Sequence, residues 1–166
     1  MNLFSKLFKN NNLPKKNKIF SPISGTIINI ESVPDEVFSK KIIGDGVAIK
    51  PSGKKIVSPV KGKIGTIFKT KHAFSILSEK NIEIFVHFGI DTILLNGKGF
   101  KKIAKENQYV NIGDIILEYN LNFLNEHSKS TLTPVVISNM EKIKTIKKYS
   151  GRVIAGKTPI MEIIYL

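Results

Sequence analysis

Residues 82–90 read I-E-I-F-V-H-F-G-I. Strict alternation of this kind suits an extended strand with one buried face, because successive side chains point to opposite sides. Ile82, Ile84, Val86, Phe88 and Ile90 make the apolar stripe and are predicted to face the core. Glu83, Phe85, His87 and Gly89 take the other face, so His87 is predicted to point away from the interior. Similar short apolar or alternating runs recur from Ile19 onward, punctuated by Gly, Pro, Ser and Asn at intervals of roughly eight to twelve residues. Strands are predicted over 23–30, 46–50, 55–58, 63–68, 72–77, 82–89, 114–119, 135–138, 151–155 and 159–165, and short helices over 101–107 and 122–128. The expected fold is mainly β, an antiparallel β-sandwich or flattened barrel with one or two short helices. Residues 21–27 (S-P-I-S-G-T-I) and 58–64 (S-P-V-K-G-K-I) share S-P-x-x-G-x-I, which hints at a duplicated strand–turn–strand unit.

Two of the three histidines fall in adjacent predicted strands. If Leu77 pairs with Ile82 across a four-residue loop, His72 stands directly opposite His87 and Thr70 opposite Gly89. A three-residue loop with Asn81 in the left-handed conformation would slip this pairing by one. On the four-residue-loop register the rings of His72 and His87 are expected to touch, an expectation that depends on that register. Such a pair has three readings: a polar patch on a sheet, half of a tetrahedral zinc site, or phosphoryl chemistry at nitrogen. In the last, one neutral imidazole attacks phosphorus and its neighbour donates N–H to the phosphoryl oxygens. His127, in N-E-H-S-K-S, has no such company and is expected to be exposed and structural. Gly44-Asp45-Gly46 reads as turn chemistry; no Lys-Ser/Thr follows it, so it is not a phosphate-binding glycine loop.

The chain has 166 residues and no cysteine, which excludes disulfide scaffolds, thiol nucleophiles and cysteine-ligated metals. No apolar run approaches the ~20 residues of a membrane span. Residues 1–10 lack the continuous apolar segment of a signal peptide, so a cytoplasmic location is expected. The net charge of +13 comes from 26 cations, of which Arg152 is the single arginine. Nucleic-acid recognition favours the planar arginine fork, and an excess of lysine, isoleucine and asparagine follows from A+T-rich codons. No nucleic-acid partner is expected. Residues 1–18 carry Lys6, Lys9, Lys15, Lys16 and Lys18 without an acid and read as a flexible basic tail. Within it Leu3, Phe4, Leu7 and Phe8 recur at helical spacing. Such a segment is expected to dock on an anionic membrane surface and hold the protein peripherally at the inner face of the membrane.

Several stretches together resemble the glucose-type enzyme IIA component of the bacterial phosphoenolpyruvate-dependent sugar phosphotransferase system. They are V-P-D-E-V-F-S-K-K-I-I-G-D-G-V-A-I-K-P-S-G (33–53), S-P-V-K-G-K-I-G-T-I-F-K-T-K-H-A-F-S-I (58–76), I-F-V-H-F-G-I-D-T (84–92), G-D-I-I-L-E-Y-N (113–120) and S-T-L-T-P-V-V-I-S-N-M (130–140). The resemblance covers 19–166, with its motif core at 35–139, and implies a duplicated hybrid-motif β-domain. It also implies a phosphoryl carrier. His87 would accept the phosphoryl group at Nε2 from the phosphohistidine of the small carrier HPr. A cysteine of the glucose-specific enzyme IIB domain, coupled to the membrane permease IIC, would receive it. His72 would steady the phosphoryl group for onward transfer, and Thr70 would orient His72.

The resemblance further implies a docking face of Phe38, Ile43, Phe68, Phe85 and Phe88 with Asp35 and Asp91 on its rim; the alternation above instead sends Phe88 to the core. Glu36 stands where the family pattern has an apolar residue. No cofactor is implied for transfer. Zinc is implied at His72 and His87 only where a partner adds a carboxylate. Regulatory contacts with glycerol kinase, adenylate cyclase and permeases outside the system are also implied, as is a monomer. The alternatives are a zinc-binding hydrolase-like domain, which three histidines supply poorly, and a biotinyl- or lipoyl-carrier β-domain, whose modified hairpin lysine is missing.

Overall fold

The computed structural model describes residues 14–166. The chain runs through β1 (Lys15–Phe20), β2 (Gly25–Asn29), α1 (Glu36–Ser39), β3 (Asp45–Pro51), β4 (Lys55–Val57), β5 (Gly62–Ile67), β6 (Ala73–Ser78) and β7 (Glu83–His87). It continues through β8 (Phe100–Lys102), β9 (Tyr109–Val110), β10 (Ile115–Tyr119), α2 (Leu121–His127), β11 (Thr133–Ile137), β12 (Ile143–Lys148), β13 (Arg152–Val153) and β14 (Pro159–Tyr165). All pairings are antiparallel. An eight-stranded sheet has the order β13-β2-β3-β11-β7-β6-β5-β9, and two three-stranded sheets, β1-β14-β12 and β4-β10-β8, complete the sandwich. The sheets remain open, so the architecture is a sandwich and not a closed barrel.

Alternation decides which face of the large sheet is inside. Ile84, Val86 and Phe88 join Phe74, Ile76, Val135 and Ile49 in the main core, against Ile19, Met161 and Ile163 of one small sheet and Ile56, Ile116 and Leu117 of the other. A second, smaller core lies on the opposite face of the large sheet, where Phe38, Val33 and Ile30 cover Ala48, Ile90 and Val136; Ile90 leaves the stripe expected from alternation because the bend at Gly89, φ 69°, interrupts the strand. Ile43 and Phe85 pack at its margin. The histidines sit beside this outer cluster.

The S-P-x-x-G-x-I echo is a structural duplication. In one copy Ser21 Oγ donates to the carbonyl of Ile23, and in the other Ser58 Oγ donates to that of Val60, each at 2.6 Å. The two copies also bind each other: Phe20 N donates to Pro59 O at 3.0 Å and Val57 N to Pro22 O at 2.8 Å. Gly156 N donates to Ser21 O, and Gly113 N to Ser58 O. Thus β13-β2-β3 at one end of the large sheet repeats β9-β5-β6 at the other.

Several expectations are corrected. Residues 101–107 do not form a helix; β8 opens this stretch and pairs with β10, and Ile103 and Ala104 both donate to Ile116 O. Tertiary pairing there outweighs local helical preference. Residues 15–18 are not tail but part of β1, paired with β14 from Lys15↔Tyr165 onward, so the flexible-tail boundary at 18 moves back. The amphipathic segment over 1–10 lies outside the described residues. The second predicted helix exists as α2, capped by Asn120, whose side chain accepts from Phe123 N at 3.1 Å. Gly44 and Gly46 are not turn residues. A Cβ on either would fall 2.0 Å from a carbonyl oxygen of β11, so glycine there permits close strand approach.

Candidate active site: the histidine pair

The hairpin β6–β7 closes through Ser78 and Ile82, leaving a three-residue loop with Asn81 at φ 58°. Ala73, not His72, therefore stands opposite His87, and Ser75 opposite Phe85. The register is slipped by one from the four-residue-loop pairing, through the left-handed Asn81. The rings nevertheless meet, with centroids 4.7 Å apart at 81°. His72 precedes β6 and is released from its alternation by the turn before it, in which Lys71 has φ 57° and donates to Phe68 O at 2.8 Å. The backbone carbonyl of His72 stays anchored by Phe88 N at 2.6 Å, while the methyl of Ala73 leaves room for its ring beside His87.

Each ring is fixed through Nδ1. His87 Nδ1 lies 2.8 Å from Gly89 O. A carbonyl only accepts, so Nδ1 carries the proton and Nε2 of the neutral ring keeps its lone pair. That carbonyl is aimed by a sharp bend: Gly89 has φ 69°, and a Cβ there would clash with Thr92 at 2.6 Å and Ser130 O at 2.7 Å. His72 Nδ1 lies 2.7 Å from Thr70 Oγ1. When the hydroxyl donates, Nε2 of His72 bears the proton and becomes a donor.

Electrostatics keep both rings neutral. His72 is only 3% exposed, and burial together with the adjacent His87 lowers its pKa to about 4. Burial also lowers the pKa of His87, against the bond to Gly89 O and the charges of Asp35 and Asp91, which raise it. A neutral imidazole is the nucleophilic form, so burial preserves the lone pair.

The remaining predicted residues gather around the pair. Phe68, 38% exposed, packs edge-on to His72 at 5.5 Å and lies 6.0 Å from Phe85, which in turn lies 6.0 Å from His87. Phe38 packs on His87 at 5.0 Å but is only 3% exposed, so it walls the ring and offers little open docking surface, contrary to expectation. Its place in the outer core explains this. Phe88 is fully buried against Phe100 and Tyr119, as alternation required. Asp35 caps α1 by accepting from Val37 N at 2.8 Å, and Asp91, at φ 59°, opens the 3-10 turn Thr92–Leu95. Ile43 is half-buried at the edge of the outer core. Asp45 is tied up by Lys148 at 2.6 Å and Lys41 at 3.6 Å. His127 is exposed, stacks on Phe123 and bonds to its carbonyl, a structural role.

Sequence reasoning missed the Gly89 carbonyl, whose contact with Nδ1 fixes the His87 ring. Two imidazoles alone make half of a tetrahedral shell. Among the described residues no group of three or more His, Cys, Asp or Glu side chains is placed to hold a metal ion. The pair by itself does not fit a resident zinc.

The chain is similar to known proteins over most of its length. A family model described as phosphoenolpyruvate-dependent sugar phosphotransferase system, EIIA 1, matches residues 17–143. The glucose-specific EIIA component of Buchnera aphidicola is 58% identical over 165 residues, covering 99% of this chain and 100% of that protein. The N-acetylglucosamine-specific EIICBA component of Escherichia coli is 47% identical over 147 residues, covering 88% of this chain but 23% of that protein. The solved glucose permease IIA from Mycoplasma capricolum superposes with a TM-score of 0.82 at 33% identity, covering 89% of this chain and 96% of that one.

Proposed function

The chain belongs to the EIIA 1 family of the phosphoenolpyruvate-dependent sugar phosphotransferase system, and from that premise we propose that His87 is its phosphoryl-carrying nucleophile. A member of this family is a phosphotransferase component of sugar uptake. The observation that carries the finer assignment is the Nδ1 bond of His87 to Gly89 O, which leaves Nε2 as the nitrogen with the lone pair. In the first half-reaction Nε2 attacks the phosphorus carried by the phosphohistidine of HPr. The new N–P bond forms as the bond to the donor's nitrogen breaks, and the electron pair leaves with that nitrogen. In the second, a cysteine thiolate of enzyme IIB attacks the same phosphorus, and Nε2 departs with its lone pair restored.

His72 serves the onward step by donating Nε2–H to the phosphoryl oxygens, with Thr70 holding the tautomer through Nδ1. Phe68 and Phe85 form the apolar ground on which a partner docks, and Asp35 and Asp91 attract a basic partner face. The similarity to one segment of an EIICBA component supports the IIB and IIC partnership. Regulatory partners of the kind expected above would meet the same face.

Incubation with phosphoenolpyruvate, enzyme I and HPr, followed by mapping of acid-labile phosphate, tests the assignment. Label is expected at His87 and lost in His87→Ala; label elsewhere would refute it. His72→Gln is expected to accept phosphate but to pass it to enzyme IIB about tenfold or more slowly. Equal onward rates would remove His72 from the mechanism. The first ten residues belong to the same reading as a membrane contact, through Leu3, Phe4, Leu7, Phe8, Lys6 and Lys9. Salt-sensitive binding to anionic vesicles is expected, and Leu7→Ser with Phe8→Ser should weaken it; unchanged binding would reject that role.

A further inference from the structure

At the end of the large sheet remote from β9, the register sets Arg152 opposite Thr26 and Thr26 opposite Lys50. Paired positions on neighbouring strands share a face. With strands about 4.8 Å apart, the two cationic residues stand about 10 Å apart at Cα with a hydroxyl between them. All three line a concave cavity of about 720 Å³, together with Ser24, Ser52 and Thr158. Among the described residues no carboxylate pairs with Arg152 or Lys50. Ser24 Oγ accepts from Ala155 N and Thr158 Oγ1 from Ile154 N, each at 3.0 Å. Both hydroxyls therefore keep their own protons to donate. Pro51, Val153 and the 58%-exposed Ile154 add apolar wall.

The duplication supplies an internal comparison. The equivalent row at the other end of the sheet is Tyr109–Lys63–Leu77. There the single cation, Lys63, lies over the Tyr109 ring at 5.9 Å. The other end of the sheet is built with no cations flanking the central position, so the architecture does not demand Arg152 and Lys50. The one arginine of the chain stands at this place.

We infer that this cavity binds the phosphate group of a small molecule, free or esterified. A phosphate dianion offers several acceptor oxygens to two cations and a set of hydroxyl donors. A carboxylate, with one charge, would leave one cation idle. The planar guanidinium of Arg152 can grip two oxygens while Lys50 meets the anion from the far side of Thr26. The apolar wall would carry the body of an ester, and the volume suits a metabolite-sized ligand. β7, which bears His87, lies two strands beyond β3, so the cavity is separate from the histidine pair and its use does not depend on phosphoryl transfer.

The test is an amide chemical-shift titration of the full chain with inorganic phosphate, with a hexose 6-phosphate and with the unphosphorylated hexose. Saturable shifts at Thr26, Ser52 and Val153 are expected with both phosphates and not with the hexose; tighter binding of the ester would identify an esterified ligand, and of the free ion a phosphate site. Arg152→Gln should weaken binding about tenfold or more, Arg152→Lys less, and Lys63→Gln not at all. Labelling of His87 in Arg152→Gln should match the unaltered chain, which separates this site from the carrier function. Absence of saturable shifts, shifts spread evenly over surface lysines, or unaltered binding by Arg152→Gln would each overturn the inference.

Discussion

His72 and His87 show how one side-chain type takes different parts according to what meets its Nδ1. A carbonyl partner leaves His87 with a lone pair at Nε2, and a hydroxyl partner allows His72 to present a proton there. The same burial that keeps the rings neutral makes folding sensitive to acid. The pKa of His72 is lower in the folded chain, about 4, than in the unfolded one, near 6.5. The unfolded state therefore binds more protons between these values, and stability is full above the higher one and declines as pH falls toward the lower. Urea unfolding at about pH 7 and about pH 4.5 should show a loss of about 2 kcal/mol from this residue, discounted for local solvent. His72→Gln should remove that part of the pH dependence. If the variant keeps the full loss, the acid sensitivity resides elsewhere.

At the scale of elements, the β6–β7 hairpin depends on its loop. Asn81 adopts φ 58°, and its carbonyl accepts from Asn139 Nδ2 at 2.9 Å and Lys142 Nζ at 3.2 Å. Asparagine tolerates the left-handed region; a β-branched residue does not. Asn81→Val should cost about 1–2 kcal/mol in urea unfolding and reduce the extent of His87 phosphorylation by loosening the register, whereas Asn81→Gly should do neither. Equal stability of the two variants would show that the loop does not set the register. The alternating faces of β7 were legible because they require only period two. The register was legible in the same pattern, since only the three-residue loop sets Ile76 opposite Ile84 and Phe74 opposite Val86, whereas the four-residue loop sets Ser75 and Ala73 there. Neither β8 nor β1 was legible, because lysine-rich strands earn their place only through the strands beside them.

At the scale of the whole molecule, the two duplicated units meet through their S-P-x-x-G motifs and the glycines beside them, and that contact is tight. A Cβ on Gly156, at φ 70°, would stand 2.7 Å from Gly113 Cα and 3.4 Å from a methyl of Val57. Gly156→Ala is expected to lower stability by about 1–3 kcal/mol, read as a lower melting temperature. A melting temperature equal to that of the unaltered chain would mean that the units can part without cost. Within this frame the large sheet carries the histidines on its outer face, and the small outer core of Phe38 and its neighbours shelters them. The histidine pair, the exposed Phe68 and the sheltering Phe38 thus lie together because one sheet has a core on both sides.

The sequence by itself determined the mainly β class, the inward face of β7, the outward placing of His87 and the family resemblance, and it hinted at the duplication. Each follows from local periodicity or from a contiguous motif. Only the tertiary structure decided how the two rings meet, that Phe38 walls the site, and which carbonyl fixes His87. These depend on a left-handed turn at Lys71 and contacts between distant segments. Period two reveals which face a side chain takes, but not which distant segment covers it, because that is chosen by packing and loop geometry together.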